Sequence, residues 1–216
     1  MTEIKGILFD FDGVLAKSME FHYAAWRYAL NNYNIELKEE DYYPLEGMNV
    51  YEMAKKFCRD NSLDEINYTT IVQNKKNYFI KNYKIDFYPG VNSLIDQLKN
   101  KGIKIGIVTA SLKEQLEKTV PEDFLNKFNV IITSNRNSRG KPFPDPYLRG
   151  LTGLCLNANE CIVIENAPLG IKSAKSAGMH CIGITSTVGK EKLSEADEII
   201  EHFSDLIASN KLNFIE

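Results

Sequence analysis

The sequence predicts an α/β protein with a doubly wound, mostly parallel core and an inserted α-helical domain. Three observations predict it. Five short Ile- and Val-rich runs, nearly unbroken by polar residues, have the pattern of strands buried on both faces. From residue 88 onward these runs alternate with stretches of helical spacing, as in a parallel sheet flanked by helices. Between the first run and the second lie residues 17–87, which carry helical periodicity and are too long for a crossover loop.

The first strand is expected over residues 4–9, ending at Asp10. The insertion follows, with apolar Phe21, Tyr23, Ala24, Trp26, Ala29 and Leu30 at helical spacing, then helical stretches at 48–57 and 71–83. Tyr88-Pro89-Gly90 is a turn cluster that returns the chain to the core. Residues 91–100 have apolar side chains at 91, 94, 95 and 98, a helix closed by Lys101-Gly102. The second strand covers 103–108. Ser111 and Glu114 then match a capping box, predicting a helix that starts after Ser111. The third strand covers 130–133, and Asp145-Pro146 reads as an N-cap followed by proline at the first helical position. The fourth strand covers 161–164, and Pro168 opens a helix ending near Ala177-Gly178. The fifth covers 180–184, with Ile199 and Ile200 as a short edge strand. The core would then comprise residues 1–16 and 88–216, and the insertion residues 17–87.

Bulk properties exclude several function classes. The chain has 216 residues and a formal net charge of -3, which gives no electrostatic footprint for nucleic acid or an anionic membrane. No apolar run approaches the roughly 20 residues that span a bilayer, and no basic segment precedes an apolar one as in a signal peptide. Cys58, Cys155, Cys161 and Cys181 form no C-x-x-C pair, so reduced, mostly buried thiols in a cytoplasmic protein are expected. A monomer or weak homodimer is expected.

The chemistry-bearing residues cluster at strand ends, where ligands bind in open α/β sheets. Asp10-Phe11-Asp12-Gly13 closes the first strand. A carboxylate there can attack phosphorus, a second one two residues on can move protons, and glycine lets the backbone turn toward a phosphate. Thr109-Ala110-Ser111 follows the second strand, with a hydroxyl able to donate to a phosphate oxygen beside a helix start. Lys141 follows the third, placed to neutralise a carboxylate and a phosphoryl group. Glu165-Asn166 follows the fourth, and such oxygens suit a hard cation such as Mg²⁺. Taken singly, each has a plainer reading: a solvated Asp-rich turn, a capping turn, a solvated lysine, a helix-entry turn.

Taken in order, Asp10-Phe11-Asp12-Gly13-Val14-Leu15, Thr109-Ala110-Ser111, Lys141-Pro142 and Glu165-Asn166 resemble the four motifs of the haloacid dehalogenase superfamily, over nearly the whole chain. Val163-Ile164-Glu165-Asn166-Ala167-Pro168-Leu169-Gly170 resembles its phosphatase and β-phosphoglucomutase subgroup. The resemblance implies a Rossmann-like core with a helical cap, Asp10 as nucleophile, Asp12 as general acid and base, and Thr109 and Lys141 on the phosphoryl group. It implies Mg²⁺ held by the Asp10 carboxylate, the Asp12 backbone carbonyl and the fourth motif. It also implies a small phosphorylated substrate, with a sugar phosphate as the leading class. In the cap, His22 matches a histidine that faces the site, and Gly47 matches a loop that dips toward it.

Two departures stand out: Asn166 replaces the usual aspartate, leaving Glu165 to help directly or through water, and Lys17-Ser18 replaces Asp-Ser or Asp-Thr. The main expectation is a phosphatase, with a phosphosugar mutase as its rival. Glu46 and Val50 stand where those mutases carry lysine and arginine. A non-catalytic binder of phosphorylated metabolites is the alternative of another class, disfavoured by the intact Asp10, Asp12 and Lys141.

Overall fold

The computed structural model describes residues 3–208; residues 1–2 and 209–216 of the expected core lie outside it. Strands β1 (Gly6–Phe9), β2 (Lys104–Leu112), β3 (Val130–Ser134), β4 (Cys161–Glu165), β5 (His180–Ile184) and β6 (Glu198–Ile200) form one six-stranded sheet in the order β3-β2-β1-β4-β5-β6. Every pairing is parallel. The order steps outward in both directions from β1, so β1 and β4 straddle the switch point of a doubly wound sheet.

Strand side chains alternate between two cores, as a period of two requires. Ile7, Phe9, Ile105, Ile107, Ile162 and Ile164 face one side, under α5 (Val91–Asn100), α6 (Lys113–Thr119), α7 (Glu122–Leu125) and α10 (Phe203–Ala208). Leu8, Val108, Cys161, Val163 and Cys181 face the other, under α8 (Asp145–Leu154) and α9 (Pro168–Ser176). All four cysteines are free thiols, with Cys155 alone exposed. Among the described residues no helix is long and apolar enough to cross a membrane.

Between β1 and α5 the chain runs through α1 (Met19–Asn31), α2 (Glu39–Tyr42), α3 (Val50–Asp60) and α4 (Tyr68–Asn82). These helices have their own apolar centre, where Trp26 meets Ala29, Leu30, Phe57, Ile71 and Val72. The chain leaves and re-enters the core side by side: Lys17 N donates to Asp86 O at 2.8 Å, and Tyr88 N donates to Leu15 O at 3.1 Å.

Two local expectations fail. Ser111 is not a helix cap: β2 runs on to Leu112, and α6 starts at Lys113 with no side-chain cap. The Ser111 hydroxyl is taken by Asp12, and Glu114 accepts from Lys76 and Lys118 instead of closing a capping box. Asp145 is the first residue of α8 rather than its N-cap, a place held by Pro144. Its Oδ1 accepts from Arg139 Nε at 3.0 Å, so the carboxylate ties down the preceding loop.

Trp26 is 2 % exposed and packs edge-on against Phe57 at 5.4 Å between ring centroids. Trp26→Ala should cost about 3–5 kcal/mol through lost transfer energy and an unfilled cavity. Urea unfolding followed by far-UV circular dichroism measures it.

Candidate active site

The ends of β1, β2 and β4 lie next to one another, so register alone brings the motif residues together. Asp10 N donates to Ile164 O at 3.0 Å, which sets Asp10 beside Glu165. Lys141 reaches in from the loop after β3. Its ammonium donates to Asp10 Oδ1 at 2.5 Å, to Glu165 Oε1 at 2.6 Å and to Val108 O at 3.1 Å, which uses all three of its protons. Burial opposes its charge, but Asp10 and Glu165 outweigh burial and hold Lys141 as an ammonium.

Glu165 is fixed from every side. Its Oε1 also accepts from Tyr147 Oη at 3.0 Å, and its Oε2 accepts the backbone N–H groups of Asn166 and Ala167. Gly170 makes room for it: a Cβ there would lie 1.7 Å from Glu165 Oε1. Burial pushes the Asp10 carboxyl well above the usual range, Lys141 opposes this, and Glu165 and Asp12 add to the rise.

Asp12 is held by four donors. Oδ1 accepts from Ser18 Oγ at 2.7 Å and His22 Nε2 at 2.8 Å; Oδ2 accepts from Ser111 Oγ at 2.8 Å and Thr109 Oγ1 at 3.1 Å. Burial alone would raise this carboxyl, but His22, Ser18 and Ser111 together hold it well below its ordinary range. Behind His22 stands Lys75, whose Nζ lies 2.8 Å from His22 Nδ1 and 3.3 Å from Gln115 Oε1. Burial, then the Lys75 ammonium, push the histidine below its usual value, and Asp12 opposes them. One positive charge therefore serves the pair, with Lys75 donating to Nδ1 and the Nε2–H donating to Asp12.

The helical insertion closes over these groups. Asp10, Asp12, His22, Glu46, Gly47, Lys75, Ala110, Ser111 and Glu165 line a cavity of about 50 Å³. Gly47 has φ +84°, and a Cβ there would sit 3.4 Å from Lys141 Cδ. Asn49 caps α3 with its oxygen, and its Nδ2 donates to Asn135 O and Ser138 O of the core loop. Glu46 accepts from Asn166 Nδ2, and Thr187 Oγ1 lies 3.3 Å from its Oε2. Burial pushes the Glu46 carboxyl well up, Asn166 opposes this, and Asp10 and Glu165 add to the rise.

The predicted residues thus fall into three groups. Asp10, Asp12, His22, Gly47, Ala110, Ser111 and Glu165 face the cavity. Thr109 and Lys141 reach it through Asp12 and Asp10. Gly13 and Asn166 stand behind: Gly13 (φ +86°) leaves space for the Asn166 amide, because a Cβ there would lie 2.3 Å from Nδ2. Sequence reading missed Lys75, Gln115, Thr187 and Tyr147. Lys75 had a signal, since it sits between Ile71 and Phe79 on the buried face of α4, where a lysine needs a partner.

A hard cation fits this donor set. Four carboxyl groups (Asp10, Asp12, Glu46 and Glu165) crowd one end of the sheet, and the Asn166 Oδ1 is buried with no hydrogen-bond partner. Among the described residues no three His, Cys, Asp or Glu converge as a metal cluster, so the amide and backbone oxygens would have to contribute.

A family model described as haloacid dehalogenase-like hydrolase matches residues 7–184. The chain is 29% identical to β-phosphoglucomutase of Bacillus subtilis (strain 168), over 94% of this chain and 92% of that one. It is 28% identical to hexitol phosphatase A of Escherichia coli (strain K12), over 97% and 96% respectively. Among solved structures, a putative β-phosphoglucomutase from Bacteroides vulgatus superposes with a TM-score of 0.85 at 29% identity, covering 98% of this chain and 89% of that one.

Burial lowers the Lys75 ammonium from 10.5 to about 8. The unfolded chain then holds this proton more tightly than the folded one, so Lys75 makes stability rise with pH between about 8 and 10.5. Against Lys75→Met, wild type should gain roughly 3 kcal/mol over that window. Urea unfolding at fixed pH values measures it; parallel pH slopes for the two proteins would refute the buried ammonium.

Proposed function

Because the chain belongs to the haloacid dehalogenase-like hydrolase family, we propose that this enzyme is a Mg²⁺-dependent phosphatase of a small phosphorylated metabolite, foremost a sugar phosphate. Its covalent intermediate is an aspartyl-phosphate on Asp10. The observation that carries the reading is the Lys141–Asp10 ion pair at the end of β1, locked by Glu165. Lys141 fixes one carboxylate oxygen and leaves the other for attack on phosphorus. Its charge also offsets that of the incoming phosphoryl oxygens.

In the first half-reaction an Asp10 oxygen bonds to phosphorus as the bond to the leaving oxygen breaks, and Asp12 supplies that oxygen with a proton. In the second, water attacks phosphorus, its proton passes to Asp12, and the Asp10–phosphorus bond breaks to release inorganic phosphate. Asp12 as found is the base form, matched to the second step. The proton it takes from water there is the one it gives to the next leaving oxygen, so the cycle closes on Asp12 itself, while Ser18, His22, Thr109 and Ser111 fix its orientation. Mg²⁺, held by Asp10, the Asp12 carbonyl and Asn166 Oδ1, would supply charge neutralisation between the carboxylates and the phosphate. Both oxygens of Glu165 are already engaged, so its part is to hold Lys141 rather than the cation.

The helical insertion serves as a cap. A cavity of about 50 Å³ holds a few waters and no sugar phosphate, so the cap swings on its paired linkers to admit substrate. Phosphatase is favoured over mutase because a mutase must also grip a distal phosphate. Glu46 brings a carboxyl to the cavity, Val50 brings no donor, and Leu112 follows Ser111. The mutase reading draws on the enclosure of the site and on the named relatives, with Lys75 as its second cation.

Asp10→Asn should leave less than a few per cent of p-nitrophenyl phosphate turnover with the circular dichroism spectrum intact. With β-glucose 1-phosphate and a trace of glucose 1,6-bisphosphate, inorganic phosphate should form faster than glucose 6-phosphate; the reverse would establish the mutase. Gly170→Ala, in α9 and outside the cavity lining, should lower kcat by roughly tenfold or more, because it displaces the carboxylate that holds Lys141.

A further inference from the structure

The two ends of the Asn166 amide stand in opposite situations. Nδ2 donates to Thr187 Oγ1 at 2.9 Å and, in a closer contact, to Glu46 Oε1. Oδ1 is buried and accepts from nothing. Turning the amide over would set Oδ1 against the Glu46 carboxyl, acceptor facing acceptor, and would waste both donor protons. Glu46 therefore decides which way the amide faces. Gly13 leaves no slack behind it, since even a Cβ there would lie 2.3 Å from Nδ2.

Glu46 and Asn166 come from different parts of the molecule. Glu46 lies in the insertion, between the turn at Tyr43–Leu45 and α3, and is 3 % exposed. Asn166 follows β4, whose neighbour β1 ends at Asp10, and Thr187 follows β5. The contact exists only while the insertion is seated on the core.

We propose that Glu46 is the positioning residue of the cation site. By holding Nδ2 it leaves Asn166 Oδ1 free to serve as an oxygen ligand, so the site for a hard divalent cation is complete only when the cap is closed. This rests on the reading above that such a cation binds beside Asp10. By linkage, whatever cap closure adds to cation affinity, the cation returns to cap closure.

The test is calorimetric titration of Mg²⁺ into the purified full chain, with no substrate present. Glu46→Ala should weaken Mg²⁺ binding by about tenfold, the lower end of the usual effect of removing a residue that orients a metal ligand. Glu46→Gln should stay near wild type, because its amide oxygen still accepts from Nδ2. In an Asn166→Asp background Glu46→Ala should lose its effect, since a carboxylate presents oxygen in both directions. Unchanged affinity in Glu46→Ala, an equal loss in Glu46→Gln, or the same loss in both backgrounds would each overturn the proposal. Absence of Mg²⁺ binding in wild type would instead overturn the cation reading beneath it. If Glu46→Ala does not fold, Thr187→Val deletes the second acceptor at near-constant volume and should weaken Mg²⁺ binding in the same sense.

Discussion

The ammonium of Lys141 is the point on which the rest of the site hangs. It is a buried cation between two buried carboxylates, and any one of the three left alone would be an uncompensated charge in a low-dielectric interior. The surroundings are shaped to keep that triad together. Tyr147 and two backbone N–H groups hold Glu165, Gly170 clears its space, and Gly47 lies against the lysine stem. Strand register supplies the last condition, because β1 and β4 pair so that Asp10 and Glu165 arrive side by side.

The face between insertion and core is polar where the chemistry is. His22, Glu46, Asn49, Lys75 and Lys76 all reach across it to core groups. An apolar seam of this size would be hard to part. A polar one exchanges protein partners for water at modest net cost, which suits the cap opening proposed above.

Much of the fold was legible because it rests on short-range periodicity. The Ile- and Val-rich runs mark strands buried on both faces, and the helical spacing from 21 to 83 marks the insertion. The motif acids and Lys141 were legible for the same reason, since each follows a strand whose end could be placed. What escaped depends on partners far along the chain. Ser111 has the local signature of a cap, but its hydroxyl bonds Asp12, 99 residues away, and β2 continues through it. Lys75 lies 53 residues from His22, and Asn166 lies 120 from Glu46. Glu46 was legible as an acid misplaced for a distal phosphate, but its bond to Asn166 was not.

The linkers at Leu15–Lys17 and Asp86–Tyr88 are stitched together by backbone hydrogen bonds. Whatever lies between them begins and ends at one spot on the core. Closing such a loop costs entropy that grows only with the logarithm of its length. Descent can therefore lengthen, trim or replace the inserted helices while the sheet, and Asp10 at the end of its inner strand β1, stay as they are. Preference for one metabolite or another can drift in one segment of the gene, and the bond-breaking apparatus can be inherited unchanged in the rest.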